Sequence, residues 1–165
     1  MPASDLKHPS GNSAPARAAG EFVVHAVRNG REWEAVRAIR TQVFVDEQGC
    51  PPELEWDEHE STSRHMVGKL DGTEIAAARW RSVWLNERAH AKLERFAVLP
   101  EYRGRGLGRR LVEEVIADAR LAGFDRFVVH AQQHLEGFYG SFGFETVSDV
   151  FEEAGIRHVK MVKRP

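Results

Sequence analysis

At 165 residues, with 42% hydrophobic and 29% charged side chains, the chain has the size and composition of one globular domain with its own core. A formal net charge of −2 argues against a general nucleic-acid binder, because affinity for a phosphate backbone comes mainly from positive charge. No stretch of about 18 apolar residues is present to span a membrane, and the single cysteine, Cys50, excludes a disulfide framework and favours a reducing, cytoplasmic location.

The N-terminal segment differs in composition from the rest of the chain. Residues 1–20 are rich in Ala, Ser, Pro and Gly, which predicts a disordered tail, and residues 21–165 are expected to form the domain. A cleaved organellar presequence is the weaker alternative, because basic residues are few and Asp5 is present.

The first half of the domain predicts mainly antiparallel strands. Residues 22–27 read as a strand, and the following helix carries Trp33, Val36, Ile39 and Val43 at spacings of three and four. An acidic, irregular segment runs to about residue 63. Strands are then predicted over residues 66–70, 75–83 and 92–99, the first two joined by an Asp71-Gly72 hairpin turn.

The second half predicts a parallel crossover. A helix after Gly108 ends at Gly123, and the strand over residues 127–129 should run parallel to the strand before that helix. A short helix over residues 133–142, capped by Gly143, precedes two final strands. The order predicts a single-domain α/β fold whose mixed sheet has an antiparallel first half, a parallel βαβ unit and helices on both faces.

The loop over residues 100–108 is the most informative segment. Pro100 ends a strand, and Gly104, Gly106 and Gly108 allow positive φ and close backbone approach just where the amides of a first helical turn lack partners. Such a loop binds phosphate groups, and the guanidinium groups of Arg103, Arg105 and Arg109 are expected to add to the attraction.

The glycine spacing argues against two common phosphate ligands. Gly108 is followed by Arg109 instead of the Lys-Ser/Thr pair that a mononucleotide P-loop requires. The spacing of two between successive glycines also departs from the dinucleotide pattern, in which the third glycine lies three positions after the second.

The loop resembles motif A of the GNAT superfamily of acyl-CoA-dependent N-acetyltransferases, R/Q-x-x-G-x-G/A, at Arg103, Gly106 and Gly108. Other segments carry the resemblance further, in the family's order, over nearly the whole of residues 21–165. Residues 131–144 resemble motif B, and residues 40–48 and 155–161 resemble the ElaA-like branch of the superfamily.

The resemblance implies a binding mode for acetyl-CoA. The fourth and fifth strands would splay apart, the pantetheine arm would lie in the gap, and the pyrophosphate would rest on the amides of residues 105–109. The residues expected to contact the cofactor are Phe96, Val98, Arg103, Gly104, Arg105, Gly106, Leu107, Gly108 and Arg109.

Two residues are expected to act in catalysis. Glu94, on the strand that leads to the glycine loop, is the best-placed general base, although a structural salt bridge is the alternative. Tyr139 lies in the motif B segment, and the resemblance makes it the acid that assists the leaving thiolate. It also falls on an apolar stripe with Leu135, Phe138 and Phe142, which is typical of core packing.

The acceptor side of the cleft is expected in the acidic segment, where no Lys or Arg occurs between Arg40 and Arg64. Glu47 and Gln48 are the predicted acceptor-binding residues. The acids of this segment either attract a cationic amine by electrostatic steering or simply form a solvated face. They are Asp46, Glu47, Glu53, Glu55, Asp57, Glu58 and Glu60.

Other polar residues fit less specific roles. Cys50, His59 and His65 lack the pair spacing of a metal site, so no metal is expected, and no histidine adjoins Cys50 to activate it as a nucleophile. His130 and His134 either orient substrate or satisfy backbone groups.

The leading hypothesis is an N-acetyltransferase acting on a small amine, with homodimerisation possible. A non-catalytic acyl-CoA sensor and an anion-binding interaction module are the alternatives.

Overall fold

A computed structural model describes residues 20–165, so all of the predicted N-terminal tail except Gly20 lies outside the described residues. Strands β1 to β8 are Phe22–Ala26, Arg64–Leu70, Thr73–Leu85, Arg88–Val98, Phe127–Gln132, Glu145–Thr146, Phe151–Glu153 and Ile156–Lys163. Helices α1 to α4 are Gly30–Arg40, Pro52–Glu55, Leu107–Leu121 and Glu136–Gly140. A π-helical turn, Thr41–Glu47, follows α1, and 3-10 turns cover Pro100–Tyr102 and Gln133–Leu135.

The strands form one mixed sheet in the order β1-β2-β3-β4-β5-β8-β6, with β7 paired to β8. Strands β1 to β4 are antiparallel neighbours, and β4 and β5 form the parallel pair joined through α3. Asp71 and Gly72, with φ of 49° and 82°, form the predicted turn between β2 and β3. The predicted fold class is confirmed.

Helices cover both faces of this sheet. One face packs against α3 through its buried residues Leu111, Val115 and Ala119, and the opposite face packs against Val36 and Ile39 of α1. Helix α1 starts at Asn29, whose side-chain oxygen accepts from the amide of Glu32 at 2.9 Å. Helix α3 is followed by Gly123 at φ +99°, as predicted.

Several boundaries differ from the sequence prediction. The helix predicted through Val43 ends as an α-helix at Arg40 and continues as the π-helical turn, which keeps Val43 in the core beside Val36 and Ile39. The acidic segment, predicted as irregular, contains α2. Three strands, not two, close the domain, because Phe151–Glu153 forms an additional short strand paired with β8. Within residues 20–165, no helix is long and apolar enough to cross a bilayer.

Candidate active site

The glycine loop presents free amides at the start of α3. The first hydrogen bond of the helix runs from the amide of Arg110 to the carbonyl of Gly106 at 3.2 Å, and no side chain caps this end. Within residues 20–165, the amides of residues 105–109 therefore have no protein acceptor. Together with the positive end of the helix dipole, these amides form an anion-binding surface.

Two of the three loop glycines are required by backbone conformation. Gly104 and Gly106 have φ of +78° and +77°, in the region that L side chains rarely adopt. Gly108 has no positive φ and lies within the first turn of α3. A Cβ built at any of the three glycines meets no protein atom within 4 Å, so the space in front of the loop is open.

The side chains of the three loop arginines bind other residues of the protein. Arg103 donates from Nη1 and Nη2 to the two carboxylate oxygens of Glu47, at 2.6 and 2.9 Å, and from Nε to the carbonyl of Val98 at 2.9 Å. The Arg105 guanidinium lies 5.5 Å from the Tyr102 ring. Arg109 donates to the Ser141 hydroxyl at 2.8 Å. The expected contact between these guanidinium groups and a phosphate stays a prediction. For Arg103, the carboxylate of Glu47 already offsets the positive charge.

The predicted gap between the fourth and fifth strands is present. Strands β4 and β5 pair only at Ala91 with Phe127 and at Lys92 with Val128. Beyond these pairs β4 carries a bulge, where the β3–β4 register shifts and Arg95 has φ of +59°. A bulge bends its strand and ends regular pairing, which accounts for the separation. Phe96 and Val98 follow the bulge on the part of β4 that does not pair with β5.

A cleft of about 380 Å³ opens on the sheet between the acidic segment, the separated strands and the β7–β8 hairpin. Its lining mixes aromatic and aliphatic side chains with charged ones, including Phe44, Gln48, Leu54, Lys92, Glu94, Phe96, His130, Gln132, Tyr139, Glu153 and His158. Apolar walls with a few converging polar groups are typical of small-molecule sites.

The position of Tyr139 fits the core-packing interpretation, and its catalytic role stays a prediction. Its ring is 7% exposed and packs among Phe96, Phe138 and Phe144, with ring centroids 5.2 to 6.3 Å away. The residue also lines the cleft, and its hydroxyl has no hydrogen-bond partner within residues 20–165. Burial raises the pKa of Tyr139, so the phenol stays protonated through the neutral range, as a proton donor must.

Glu94 lines the cleft as predicted, but three cations hold its carboxylate. Arg79 approaches at 2.6 Å, and Arg81 and Lys92 each at 3.2 Å. Although burial acts in the opposite direction, these charges lower the pKa of Glu94 to about 2. A carboxylate with that pKa is a weak proton acceptor. The geometry thus favours the structural salt bridge, and the base role of Glu94 stays a prediction.

A buried ion network beneath the cleft is the main feature that sequence reasoning missed. Arg40 and Arg79 have no exposed surface, and each holds two carboxylates or more. Arg40 binds Glu55 at 2.7 Å and Glu60 at 2.8 Å, while Arg79 binds Asp57, Glu60 and Glu94 at 2.6 to 2.7 Å. Much of the acidic segment is therefore neither a solvated face nor free to steer a cation.

The two predicted acceptor-binding residues lie in different surroundings. The carboxylate of Glu47 is engaged by Arg103, which lowers the pKa of Glu47, and Glu47 does not line the cleft. Gln48 does line it, and its Oε1 accepts from Nε2 of Gln132 at 3.1 Å. Gln48 therefore borders the space available to an acceptor, and Glu47 does not.

The histidines and Cys50 separate into cleft and non-cleft groups. Cys50, His59, His130 and His158 line the cleft, whereas His65 packs beside the Trp33 ring at 4.6 Å. Among the described residues, no three His, Cys, Asp or Glu side chains are grouped so as to hold a metal ion. His130 Nδ1 lies 2.7 Å from Oε1 of Glu153 on β7.

Together, the mixed sheet with its gap and the glycine loop opening the crossover helix define an acyl-CoA-dependent N-acyltransferase. Residues 36–165 match the acetyltransferase (GNAT) domain, and the chain belongs to this family. It is 35% identical over 126 residues to the uncharacterized N-acetyltransferase YjcF of Bacillus subtilis, an alignment covering 76% of this chain and 87% of YjcF.

Two solved structures have the same fold. The sequence is 32% identical over 131 residues to ElaA of Escherichia coli, covering 78% of this chain and 85% of ElaA. The crystal structure of ElaA superposes with a TM-score of 0.74 and 28% identity, covering 88% of this chain and 99% of that one. An acyl-CoA N-acyltransferase from Pseudomonas aeruginosa superposes with a TM-score of 0.73 and 27% identity, covering 87% and 99%.

Proposed function

We propose that this protein transfers an acetyl group from acetyl-CoA to a primary amine by direct attack in a ternary complex. The observation that carries the proposal is the gap between β4 and β5, which ends at the free amides of the glycine loop and borders the cleft that Tyr139 lines. The gap would thus run from a loop suited to bind phosphate to a side chain suited to donate a proton. Family membership and the acyl-CoA N-acyltransferase neighbour support this donor class.

The donor would lie along the separated part of β4. Its pyrophosphate would accept hydrogen bonds from the amides of residues 105–109, and its pantetheine arm would bond to backbone groups near Phe96 and Val98. In this arrangement the cofactor is bound by backbone groups more than by side chains. This is consistent with the structure, because the guanidinium group of Arg103 pairs with Glu47 and that of Arg105 packs against Tyr102.

The transfer step requires one acid. The amine lone pair attacks the thioester carbonyl carbon, and the tetrahedral intermediate then breaks its C–S bond to release the CoA thiolate. Tyr139 donates its phenolic proton to that sulfur, and the proton left on the nitrogen of the intermediate restores the phenol. Because burial raises the pKa of Tyr139, the proton moves as the C–S bond breaks and not before.

The transfer also requires a free amine. An alkylamine has a pKa near 10.4, so deprotonating it at pH 7 costs about 4 to 5 kcal/mol, and a proton acceptor in the cleft lowers the barrier. Glu94 was the candidate from the sequence, but three cations surround it and its pKa is about 2. In this proposal Glu94 chiefly holds the buried Arg79 beneath the cleft and Arg81 at the cleft wall.

The cleft dimensions favour a small acceptor. About 380 Å³ accommodates a single small molecule, with Phe44, Leu54 and Phe96 offering apolar contacts and Gln48 a polar one. The acceptor class is therefore a small amine with an apolar portion.

One experiment separates this function from its two rivals. Purified protein is mixed with acetyl-CoA and a panel of primary amines, and release of the free thiol is followed while acetyl-CoA and tripolyphosphate binding are measured by calorimetry. An acetyltransferase binds acetyl-CoA and releases thiol only with an amine present. Binding without turnover of any amine indicates an acyl-CoA sensor, and equal binding of tripolyphosphate indicates a general anion-binding module.

A further inference from the structure

His130 stands across the gap from the predicted base. The last pair between β4 and β5 joins Lys92 to Val128, and Glu94 and His130 each lie two residues beyond it. Side chains two apart in a strand share a face, so both residues project on the face opposite Val129 and Ala131, which belong to the core beside α3. Both line the cleft. His130 therefore borders the cleft at the point where the strands begin to separate.

The β7–β8 hairpin fixes the orientation of this imidazole. Glu153 lies at the end of β7, and its Oε1 is 2.7 Å from Nδ1 of His130. The Phe151 ring packs edge-on against the imidazole, with ring centroids 5.2 Å apart. Burial acts to raise the pKa of Glu153, but the hydrogen bond from His130 and the nearby His158 and Lys92 outweigh that effect. The pKa of Glu153 is therefore lowered, and the group is a carboxylate at neutral pH.

The ionised carboxylate of Glu153 determines which nitrogen of His130 carries the proton. A carboxylate only accepts hydrogen bonds, so Nδ1 of His130 carries the proton and donates it to Glu153. In the neutral ring, Nε2 then bears the free lone pair. A histidine whose second nitrogen is held by a carboxylate is the usual arrangement of a general base.

We propose that His130 is the general base that accepts the acceptor's ammonium proton on Nε2, with Glu153 as the residue that positions it. This inference rests on the proposed function. In the step, the N–H bond of the ammonium breaks, its electron pair stays on nitrogen for attack on the thioester, and the proton passes through Nε2 to solvent. The net reaction then converts an ammonium ion and acetyl-CoA into an amide, free CoA thiol and one proton.

The competing groups in the cleft are less suited to this task. Glu55 and Asp57 are held by arginines, as Glu94 is. The imidazole of His158 directs Nδ1 to the carbonyl of Ile156 at 2.7 Å and is only 8% exposed. His59 lies beside Glu58, whose side chain is 80% exposed at the rim.

Charges on three strands act on His130. Glu153 on β7 and Glu94 on β4 are the acidic groups near the imidazole. Lys92 on β4 and Lys160 on β8 are the basic groups, with Lys160 the direct cross-strand neighbour of His130, and His158 on β8 lies beside Glu153. Because a base acts only in its unprotonated form, we expect an acidic limb in kcat/KM.

The test compares His130→Gln with His134→Gln, an exposed histidine four residues away that does not line the cleft. Each protein is assayed with the best alkylamine from the acceptor panel and with hydroxylamine, a small nucleophile that is largely unprotonated at pH 7. We expect His130→Gln to lower kcat/KM for the alkylamine by about 10² or more and to abolish the acidic limb. Its rate with hydroxylamine and its acetyl-CoA affinity should remain within about threefold of the wild type, and His134→Gln should be unaffected in every assay.

A second variant tests the positioning role of Glu153. Glu153→Gln keeps the hairpin contact but no longer holds the imidazole through a charge, so kcat with the alkylamine should fall by about tenfold while KM changes little. Three results overturn the proposal: an unchanged pH profile in His130→Gln, equal losses with both nucleophiles, or equal losses in His134→Gln. In each case acetylation by the wild type leaves the proposed function intact. A wild type that binds acetyl-CoA but acetylates nothing overturns both.

Discussion

Glu47 and Arg103 join the π-helical turn to the phosphate-binding loop through two parallel hydrogen bonds of 2.6 and 2.9 Å. The sequence assigned these residues to opposite substrates, Arg103 to the cofactor and Glu47 to the amine. Their side chains are 41% and 39% exposed, so the pair contributes little to folding, but it offsets a positive charge beside the loop.

Glu47→Gln removes that offset. Because the Arg103 guanidinium is then free to attract the cofactor phosphates, we expect acetyl-CoA to bind about two- to fivefold more tightly at low salt, with the gain lost at high salt. Glu101→Gln is the control, since it removes an equal charge from the same loop with no ion pair to Arg103 within 4.0 Å. Calorimetry measures both. An increased KM for the amine, with unchanged acetyl-CoA affinity, would instead assign Glu47 to the acceptor.

Gly106→Val should abolish acetyl-CoA binding. A β-branched residue at φ +77° costs about 1 to 2 kcal/mol of backbone strain and places methyl groups in front of the free amides. The matched control is Gly123→Val, which is strained in the same way at φ +99° but lies at the far end of α3. Thermal unfolding with and without ligand reports both effects, since ligand at 100 times Kd adds about 2.7 kcal/mol to the free energy of unfolding. Ligand stabilisation that survives in Gly106→Val contradicts the phosphate-loop assignment.

Tyr139→Phe should lower kcat by roughly 10 to 10³ while leaving acetyl-CoA affinity near that of the wild type. The melting temperature should hardly change, because the ring keeps its aromatic neighbours and the lost hydroxyl has no partner among the described residues. Tyr102→Phe removes the only other tyrosine hydroxyl in the chain and should leave kcat unaltered. Steady-state kinetics measures kcat for both variants. If kcat of Tyr139→Phe equals that of the wild type, Tyr139 has a purely structural role.

Acid should destabilise the fold through the ion network. The folded-state pKa of Glu94, about 2, lies below its ordinary value of 4.5, so its stabilising contribution is complete above pH 4.5 and disappears as the pH falls towards 2. Urea unfolding of the wild type should therefore show a falling free energy of unfolding across that window. Glu94→Gln should be less stable at pH 7 by roughly 3 kcal/mol, because it removes one of the three carboxylates around the buried Arg79 and the carboxylate shared by Arg81 and Lys92. The variant should also lose less stability on acidification.

The control for the acid experiment is Glu58→Gln, which removes a side chain that is 80% exposed. Its unfolding curve should follow that of the wild type at every pH. If Glu94→Gln and the wild type lose stability in parallel, Glu94 is not the group that titrates.

The sheet was predictable because its signals are local. The Asp71-Gly72 turn, the strand alternation and the cap at Gly123 each depend on residues adjacent in the chain, and the glycine loop carries its conformational requirement in its own residues. The gap between β4 and β5 followed only from family resemblance. Its immediate cause, the bulge at Arg95, has no local signal, since an arginine at positive φ is not anticipated from sequence.

The ion network was not predictable because its partners are distant in sequence. Arg79 meets Asp57 across 22 residues and Glu94 across 15, and nothing in a run of acids indicates which members are buried. An acidic run without Lys or Arg is typical of a solvated surface, and only the fold brings Arg40, Arg79 and Arg95 beneath it. The pairing of His130 with Glu153 was missed for the same reason, because the two residues are 23 positions apart in the sequence.

The separation of β4 from β5 gives the sheet an internal edge. Exposed sheet edges are a hazard, because their unpaired backbone groups accept strands from other chains and promote aggregation. Here the edge lies in the middle of the sheet order, flanked by β3 on one side and β8 on the other, so another polypeptide strand has no open flank along which to add. A small ligand with a narrow, flexible chain and amide groups of its own can still enter the gap between β4 and β5. The fold thus keeps backbone hydrogen-bonding capacity available to a small ligand while denying it to neighbouring protein molecules.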